Sequence, residues 1–404
     1  MKLRLIFSIL FFCMAGCVLG QTSEKTVYNT ISIPQIDWND RTDLQIVTDQ
    51  RDGVYLGHVN TVLLDDDKTI LAVYPQGHAS GAIQYKKSLD GGLTWGECLS
   101  TPKSWEQNDE CPTMFRTVDA NGKKRILVFQ SGSFPIKMSV SEDEGETWSE
   151  FAPIGPYGGF VAMSSMIPLN TGKGHYIAFY NDRERKTDGS NEWFWSTTRL
   201  LYSIVTRDGG VTWEEPKLIL KRSDINAGEP CAVRSPDGKQ IAVLLRENTR
   251  RYNSQIIFSN DEGETWTDPV PLPNSLTGDR HVARYLNDGR LIVLFRQMSL
   301  PINGTPFSGD WVAWVGSYSD LVNQTEGDFV IRLKDNFGLN FMFPPTNVVA
   351  NSPDCAYSGV VVQKDGTVVA TTYGWWEEDK KPYILTVRIP MSELKLVSGI
   401  KSEI

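Results

Sequence analysis

The sequence predicts an all-β protein, a six-bladed β-propeller of four-stranded antiparallel blades, and three observations carry that prediction. One octapeptide recurs four times: Ser88-Leu-Asp90-Gly-Gly92-Leu-Thr94-Trp95, Ser141-Glu-Asp143-Glu-Gly145-Glu-Thr147-Trp148, Thr206-Arg-Asp208-Gly-Gly210-Val-Thr212-Trp213 and Ser259-Asn-Asp261-Glu-Gly263-Glu-Thr265-Trp266. Six pairs of short apolar runs, each pair joined by a polar turn, are spread along the chain, and no helical periodicity of useful length interrupts them. An internal repeat of this period in an all-β setting implies blades stacked around an axis. Within the octapeptide the Asp side chain can accept backbone N–H bonds across a turn. The Gly supplies an unusual backbone angle, and the Trp offers a large face to pack between sheets. The octapeptide therefore builds blades and is not read as catalytic.

The elements follow in order. Met1-Lys-Leu-Arg4 and the apolar run Leu5–Ala15 have the charge and length of a secretory signal, so residues 1–20 are read as a signal peptide and 21–404 as one propeller domain. Met14-Ala15-Gly16-Cys17 resembles a bacterial lipobox, which would place a lipid anchor on Cys17; Val18-Leu19-Gly20 suits ordinary cleavage, the reading favoured here. The apolar run is too short for a confident span, and no second stretch of that kind follows. A secreted or periplasmic protein, or one lipid-anchored at the cell envelope, is expected. Thr26–Val47 is expected to supply a strand that closes the ring on the last blade.

The six hairpins that open the blades are Thr61–Leu64 with Thr69–Val73, Pro112–Val118 with Arg125–Gln130, and Val161–Leu169 with Tyr176–Tyr180. After them come Pro230–Arg234 with Gln240–Leu245, Val282–Leu286 with Arg290–Phe295, and Tyr357–Val362 with Thr367–Thr372. Asp-Gly turns at 237–238, 288–289 and 365–366 support the pairing. Leu300–Pro353 is longer than a blade needs and is read as an elaborated fifth blade with a loop.

Composition narrows the chemistry. The net charge of −9 carries no basic stripe, which argues against a nucleic-acid partner. Twelve Trp and fourteen Tyr suit both blade packing and sugar stacking. Cys98, Cys111, Cys231 and Cys355 form no CxxC pair, so zinc is not indicated; mostly buried free thiols are expected. No cofactor is called for. Asp65-Asp66-Asp67 is read as a solvated turn, with adventitious calcium as an alternative.

Propellers place function at one end of the channel, on the strand openings. Those openings here are rich in ionisable groups: Gly57-His58-Val59-Asn60, Asp109-Glu110-Cys111-Pro112, Gly228-Glu229-Pro230, Asp279-Arg280-His281 and Asp354-Cys355-Ala356-Tyr357, with Arg246 closing its own strand. His58, His78 and His281, three of only four histidines, lie in or beside them.

With four such repeats (Asp boxes) on six blades, the chain resembles the sialidase superfamily over nearly its whole mature length. That resemblance implies a tyrosine nucleophile assisted by a glutamate, an aspartate acid/base and three arginines on the substrate carboxylate. Cys355-Ala356-Tyr357-Ser358 resembles the tyrosine motif, Glu229 the partnering glutamate, Arg246 the second arginine and Arg280 the third. The family's first arginine is replaced by the stretch around His58, and its aspartate by Gly77-His78-Ala79-Ser80. The expected function is an exported exo-glycosidase that releases a terminal acidic sugar from glycans. Tyr357, Glu229, His78 and His58 are the catalytic candidates; Arg246, Arg280, His281, Asn60, Glu110 and Trp375 are the substrate-binding ones. A uronate-specific hydrolase or lyase using histidine, or a glycan-binding propeller without catalysis, remain alternatives. Trp375-Trp376 and Trp193-Phe194-Trp195 are candidate stacking walls, and Asn303 and Asn323 fit the glycosylation sequon.

Overall fold

The computed structural model describes residues 31–130, 132, 134–184, 199–299, 306–337 and 354–400, and these form six sheets around one axis. The signal peptide, Trp193-Phe194-Trp195 and Asn303 lie outside the described residues.

Blade 1 is Asn60–Leu63, Ile70–Pro75 and Ile83–Ser88. Blade 2 is Thr113–Val118, Lys124–Gln130, Lys137–Ser141 and Ala152–Pro153. Blade 3 is Phe160–Pro168, Tyr176–Arg183, Arg199–Thr206 and Lys217–Lys221, and blade 4 is Ala227–Arg234, Ile241–Glu247, Gln255–Ser259 and Val270–Pro271. Blade 5 is Gly278–Tyr285, Leu291–Gln297, Trp311–Gly316 and Phe329–Lys334. Blade 6 is Gly359–Val362, Val368–Gly374 and Tyr383–Ile389. Its fourth, outermost strand is Gln45–Asp49, paired antiparallel to Tyr383–Ile389, so the expected closure occurs at the end of the segment assigned to it.

Three features depart from the expectation. Blade 1 shows three strands, and blade 5 gains a fifth, Gln35–Asp37, lying parallel to Phe329–Lys334. Helices are also present. Tyr318–Asn323 joins two strands of blade 5, and Met391–Ile400 ends the described chain. The second helix buries only Leu394 and Val397 while Leu396 is exposed, an apolar face too sparse to register as periodicity.

The repeats act as anticipated on sequence grounds. In each, the Asp accepts from the Ser or Thr two residues before it and from the Thr backbone four residues after it, as Asp261 does from Ser259 (2.8 Å) and Thr265 N–H (2.9 Å). The later Gly has positive φ, +89° at Gly263. A Cβ there would lie 2.6 Å from Ile177 of the preceding blade, so only Gly allows the close approach. The Trp packs edge-on against that same blade: Trp148 on Tyr85, Trp213 on Phe129 and Trp266 on Phe179, at 5.6–5.7 Å between centroids. Radial packing of this kind makes the core a set of inter-blade layers of buried Val, Ile, Leu and aromatic side chains.

Strand direction then decides where function can sit. Each first strand starts at one end of the channel, each second strand returns to it, and each third strand leaves it. The Asp boxes follow third strands, so they lie at the opposite end.

Candidate active site

The first strands do not enter the ring as regular strands. His58, Val161, Glu229, Arg280 and Ala356, at or just before the openings of five blades, all have left-handed φ between +50° and +68°. Register breaks accompany this in blades 3, 4 and 5, between Phe160 and Ser165, Gly228 and Cys231, and Asp279 and Val282. Such bulges re-aim single side chains, and repeated strained residues mark a functional end.

Glu229 and Tyr357 meet across the channel. The Tyr357 hydroxyl donates to Glu229 Oε1, which also accepts from Arg246 Nη1 at 2.7 Å. Burial pushes Glu229 upward, but Arg246, Arg280 and the Tyr357 hydrogen bond together outweigh it and keep the carboxyl below its ordinary value. Burial, and then the Glu229 charge, push the Tyr357 phenol well above its usual range. The resting pair is thus a neutral phenol bonded to a carboxylate. The Arg280 guanidinium lies over the Tyr357 ring, 5.4 Å from its centroid.

Asp279 organises the arginines behind this pair. It is fully buried and bonds Arg296 Nη2 (2.6 Å) and Nε (3.0 Å) and both terminal nitrogens of Arg250; Arg246 Nε stands 3.1 Å away, off hydrogen-bond geometry. Burial opposes its charge, but Arg246, Arg250 and Arg296 together hold it well below the carboxylate range.

On the other side of Tyr357, Asp354 joins two histidines. Ala79 N–H donates to His58 Nδ1 at 3.0 Å, so the His58 proton is on Nε2 and points to the Tyr373 hydroxyl at 3.0 Å. Tyr373 in turn donates to Asp354 Oδ1 at 2.8 Å, and Tyr55 donates to Oδ2. His78 Nδ1 lies 3.1 Å from Oδ2 and 2.9 Å from the Tyr55 oxygen, which directs its Nε2 outward. The His58 ring packs edge-on against both Tyr357 (4.6 Å) and His78 (4.8 Å). Burial and the neighbouring His78 keep His58 well below the usual imidazole value, hence neutral. Asp354 is pushed up by burial but held well below the carboxylate range by His78. His58, His78 and Asp354 are grouped closely enough to hold a metal ion. Both His58 nitrogens and both Asp354 oxygens are already hydrogen-bonded, so the set closes without one.

The remaining predicted residues divide. Glu110 is buried; desolvation first, and then Glu229, raise its carboxyl, while Cys111 N–H donates to it at 3.2 Å. His281 is placed inside blade 5, its ring stacked on Phe295 and its Nε2 3.0 Å from Leu276 O, and burial lowers it to about 4. The bulge at Asp279–Val282, with Arg280 at left-handed φ, aims Arg280 at Tyr357 while His281 turns into the blade. Asn60 accepts from Met114 N–H at 3.2 Å and ties blade 1 to blade 2. Trp375 lines a surface groove with Arg51 and Asp52, and Lys381 lies over its ring. Trp376 is buried against Trp311 as blade packing. Asp65 is ion-paired with Arg116 and Lys124, which accounts for its charge. Asn323 ends the blade 5 helix. All four described cysteines are free; Cys98 alone is exposed.

Sequence reading placed Asp279 and Asp354 at strand openings without giving them a role, and missed Tyr55, Tyr373, Arg296 and Arg199. Arg296 and Tyr373 end second strands and Arg199 starts a third strand, the two other places where chain meets this end of the channel. Strand direction was the signal available for them.

A ring of six blades with a tyrosine, a carboxylate and arginines at one mouth defines the sialidase class of propeller. The chain belongs to the BNR repeat-like domain family, whose pattern matches residues 42–369, and so to the sialidase superfamily. It is 27% identical over 246 residues to a sialidase of Paraclostridium sordellii, covering 52% of this chain and 59% of that one. To a sialidase of Clostridium perfringens it is 30% identical over 184 residues, 40% of this chain and 47% of that one. The match thus spans less than two thirds of either relative. In fold it is similar to a Dyadobacter fermentans protein of unknown function (TM-score 0.64, 14% identity, 86% of this chain and 97% of that one). An intramolecular trans-sialidase from Ruminococcus gnavus is also similar (TM-score 0.55, 14% identity, 87% and 97%).

Proposed function

We propose that the protein is an exported retaining exo-glycosidase that releases a terminal acidic sugar from glycans. The observation that carries this reading is the Tyr357–Glu229–Arg246 contact with Arg280 over the phenol ring. An anomeric centre bearing a carboxylate repels an anionic nucleophile, whereas a neutral phenol does not. As the Tyr357 oxygen bonds to the anomeric carbon, its proton passes to Glu229 and the bond to the leaving-group oxygen breaks. That oxygen takes a proton from His78, which Asp354 orients through Nδ1. Water then attacks the glycosyl-tyrosine, giving its proton to His78, and the Glu229 proton returns to the phenol. Two inversions at one carbon retain configuration.

The test is turnover on aryl sialosides and a panel of uronate glycosides, with quenched reactions searched by mass spectrometry for a sugar on the peptide carrying Tyr357. Turnover with that adduct, abolished in Tyr357→Phe, is expected. Cleavage that survives Tyr357→Phe would sink the assignment. One observation favours a second reading: His78, oriented through Nδ1 by Asp354 and Tyr55, would serve as the base that removes the proton beside a uronate carboxyl. A lyase would expel the leaving group as a carbon–carbon double bond forms, giving an unsaturated product that absorbs in the ultraviolet.

A further inference from the structure

Most arginines at the channel mouth are already committed. Arg246 is bonded to Glu229 and lies against Asp279, and Arg296 and Arg250 are bonded to Asp279. Two others hold a buried terminal nitrogen with no hydrogen-bond partner among the described residues: Arg280 Nη1 and Arg199 Nη1. A buried guanidinium donor left unmatched is costly, and at a ligand-binding mouth it points to an acceptor that arrives from outside.

Arg199 is positioned for that role. It starts the third strand of blade 3, where its N–H donates to Asn226 just ahead of the strand that carries Glu229 (3.1 Å). Its guanidinium reaches inward over Phe160 on the innermost strand, 4.3 Å from the ring centroid. Glu229 and Tyr357 are both within electrostatic reach. Burial, and next the charge of Arg183, lower Arg199 to about 10, so it remains a cation at neutral pH and gains from a counter-ion.

We propose that Arg199, with Arg280, grips the anion of the substrate, and that Arg246 serves instead as a positioning residue for Glu229. This deepens the glycosidase reading and rests on it. Arg199 thereby supplies, from the third blade, a cation that the first blade lacks where His58 stands. The anion is a sugar carboxylate. Planar guanidinium forks match it in bidentate fashion, and Glu229 and Glu110 nearby disfavour a dianion such as a phosphate.

The test is titration calorimetry of the Tyr357→Phe chain, which cannot turn over, with N-acetylneuraminate, glucuronate, their methyl esters and galactose 6-sulfate. One of the two acids should bind and its ester should bind at least tenfold more weakly. Arg199→Leu and Arg280→Leu should each erase that acid–ester difference, and Arg199→Lys should restore part of it. In the otherwise wild-type chain Arg199→Leu should raise KM for an acidic glycoside about tenfold or more with a smaller change in kcat. Equal weakening of acid and ester, an unchanged KM, preference for the sulfate, or no binding of either acid at millimolar concentration would each overturn the proposal. Acid binding through Arg199 in a protein that cleaves no glycoside would instead overturn the glycosidase reading alone.

Discussion

Asp279→Asn removes the one negative charge shared by three guanidinium groups in the wall of the channel. Asp279 is wholly buried, and its two oxygens serve Arg296 through two bonds and Arg250 through two more, with Arg246 Nε at 3.1 Å. Bringing that carboxylate out of water was costly, and its removal does not return the cost, because the arginines remain buried beside one another. Breaking a buried ion pair by deleting one partner destabilises by about 3–5 kcal/mol. An unfolding entropy of about 2 cal/mol/K per residue gives roughly 0.8 kcal/mol/K for 404 residues. The expected fall in melting temperature is therefore about 4–6 °C. Differential scanning calorimetry at pH 7 reads it directly, with Asp268→Asn, at an exposed turn, as the comparison. A midpoint within about 1 °C of wild type would show that the arginines are neutralised elsewhere, and would remove the reason to regard Arg246 as anchored.

Two further outcomes are expected. His281 is buried and neutral, held at about 4, so below its unfolded value of about 6.5 the unfolded chain takes up the proton first. Its contribution is therefore intact above pH 6.5 and is lost as pH falls towards 4, by about 2–3 kcal/mol at pH 4.5; urea unfolding of wild type and His281→Phe should converge over that window, and parallel curves would refute it. His78→Ala should slow hydrolysis of glycosides with poor leaving groups far more than that of activated aryl glycosides. Equal loss on both would leave His78 a sugar-positioning group.

The blades were legible because a turn that needs Asp, Gly and Trp at set spacings prints them into the chain. The hairpins were legible because alternation and Asp-Gly turns are local. Tyr357, Glu229 and Arg280 could be named from motifs at strand openings and Arg246 from the end of its strand, and the structure gathers them at one mouth. What escaped depends on neighbours distant in sequence. Asp279 is partnered by Arg296 and Arg250, and Asp354 by Tyr55 and His78, pairings set by which blades adjoin. His281 stood out as one of three histidines at strand openings, yet its ring turns into blade 5 onto Phe295, a direction set by a bulge that the sequence does not display. Arg199 begins a strand that reads as ordinary until the ring is closed.

Ring closure has a consequence for how this chain comes into being. The outer strand of blade 6, Gln45–Asp49, is made early in synthesis, and its partner Tyr383–Ile389 is made more than three hundred residues later. Contacts so remote in sequence raise contact order and slow folding. Blades 1 to 5 can form as they emerge, but Gln45–Asp49 and the sixth blade wait, leaving strand edges open to other chains in the interval. Tyr357 opens that last blade, so the Tyr357–Glu229 pair cannot assemble before the ring shuts. Activity regained during refolding should thus lag behind the recovery of β-structure.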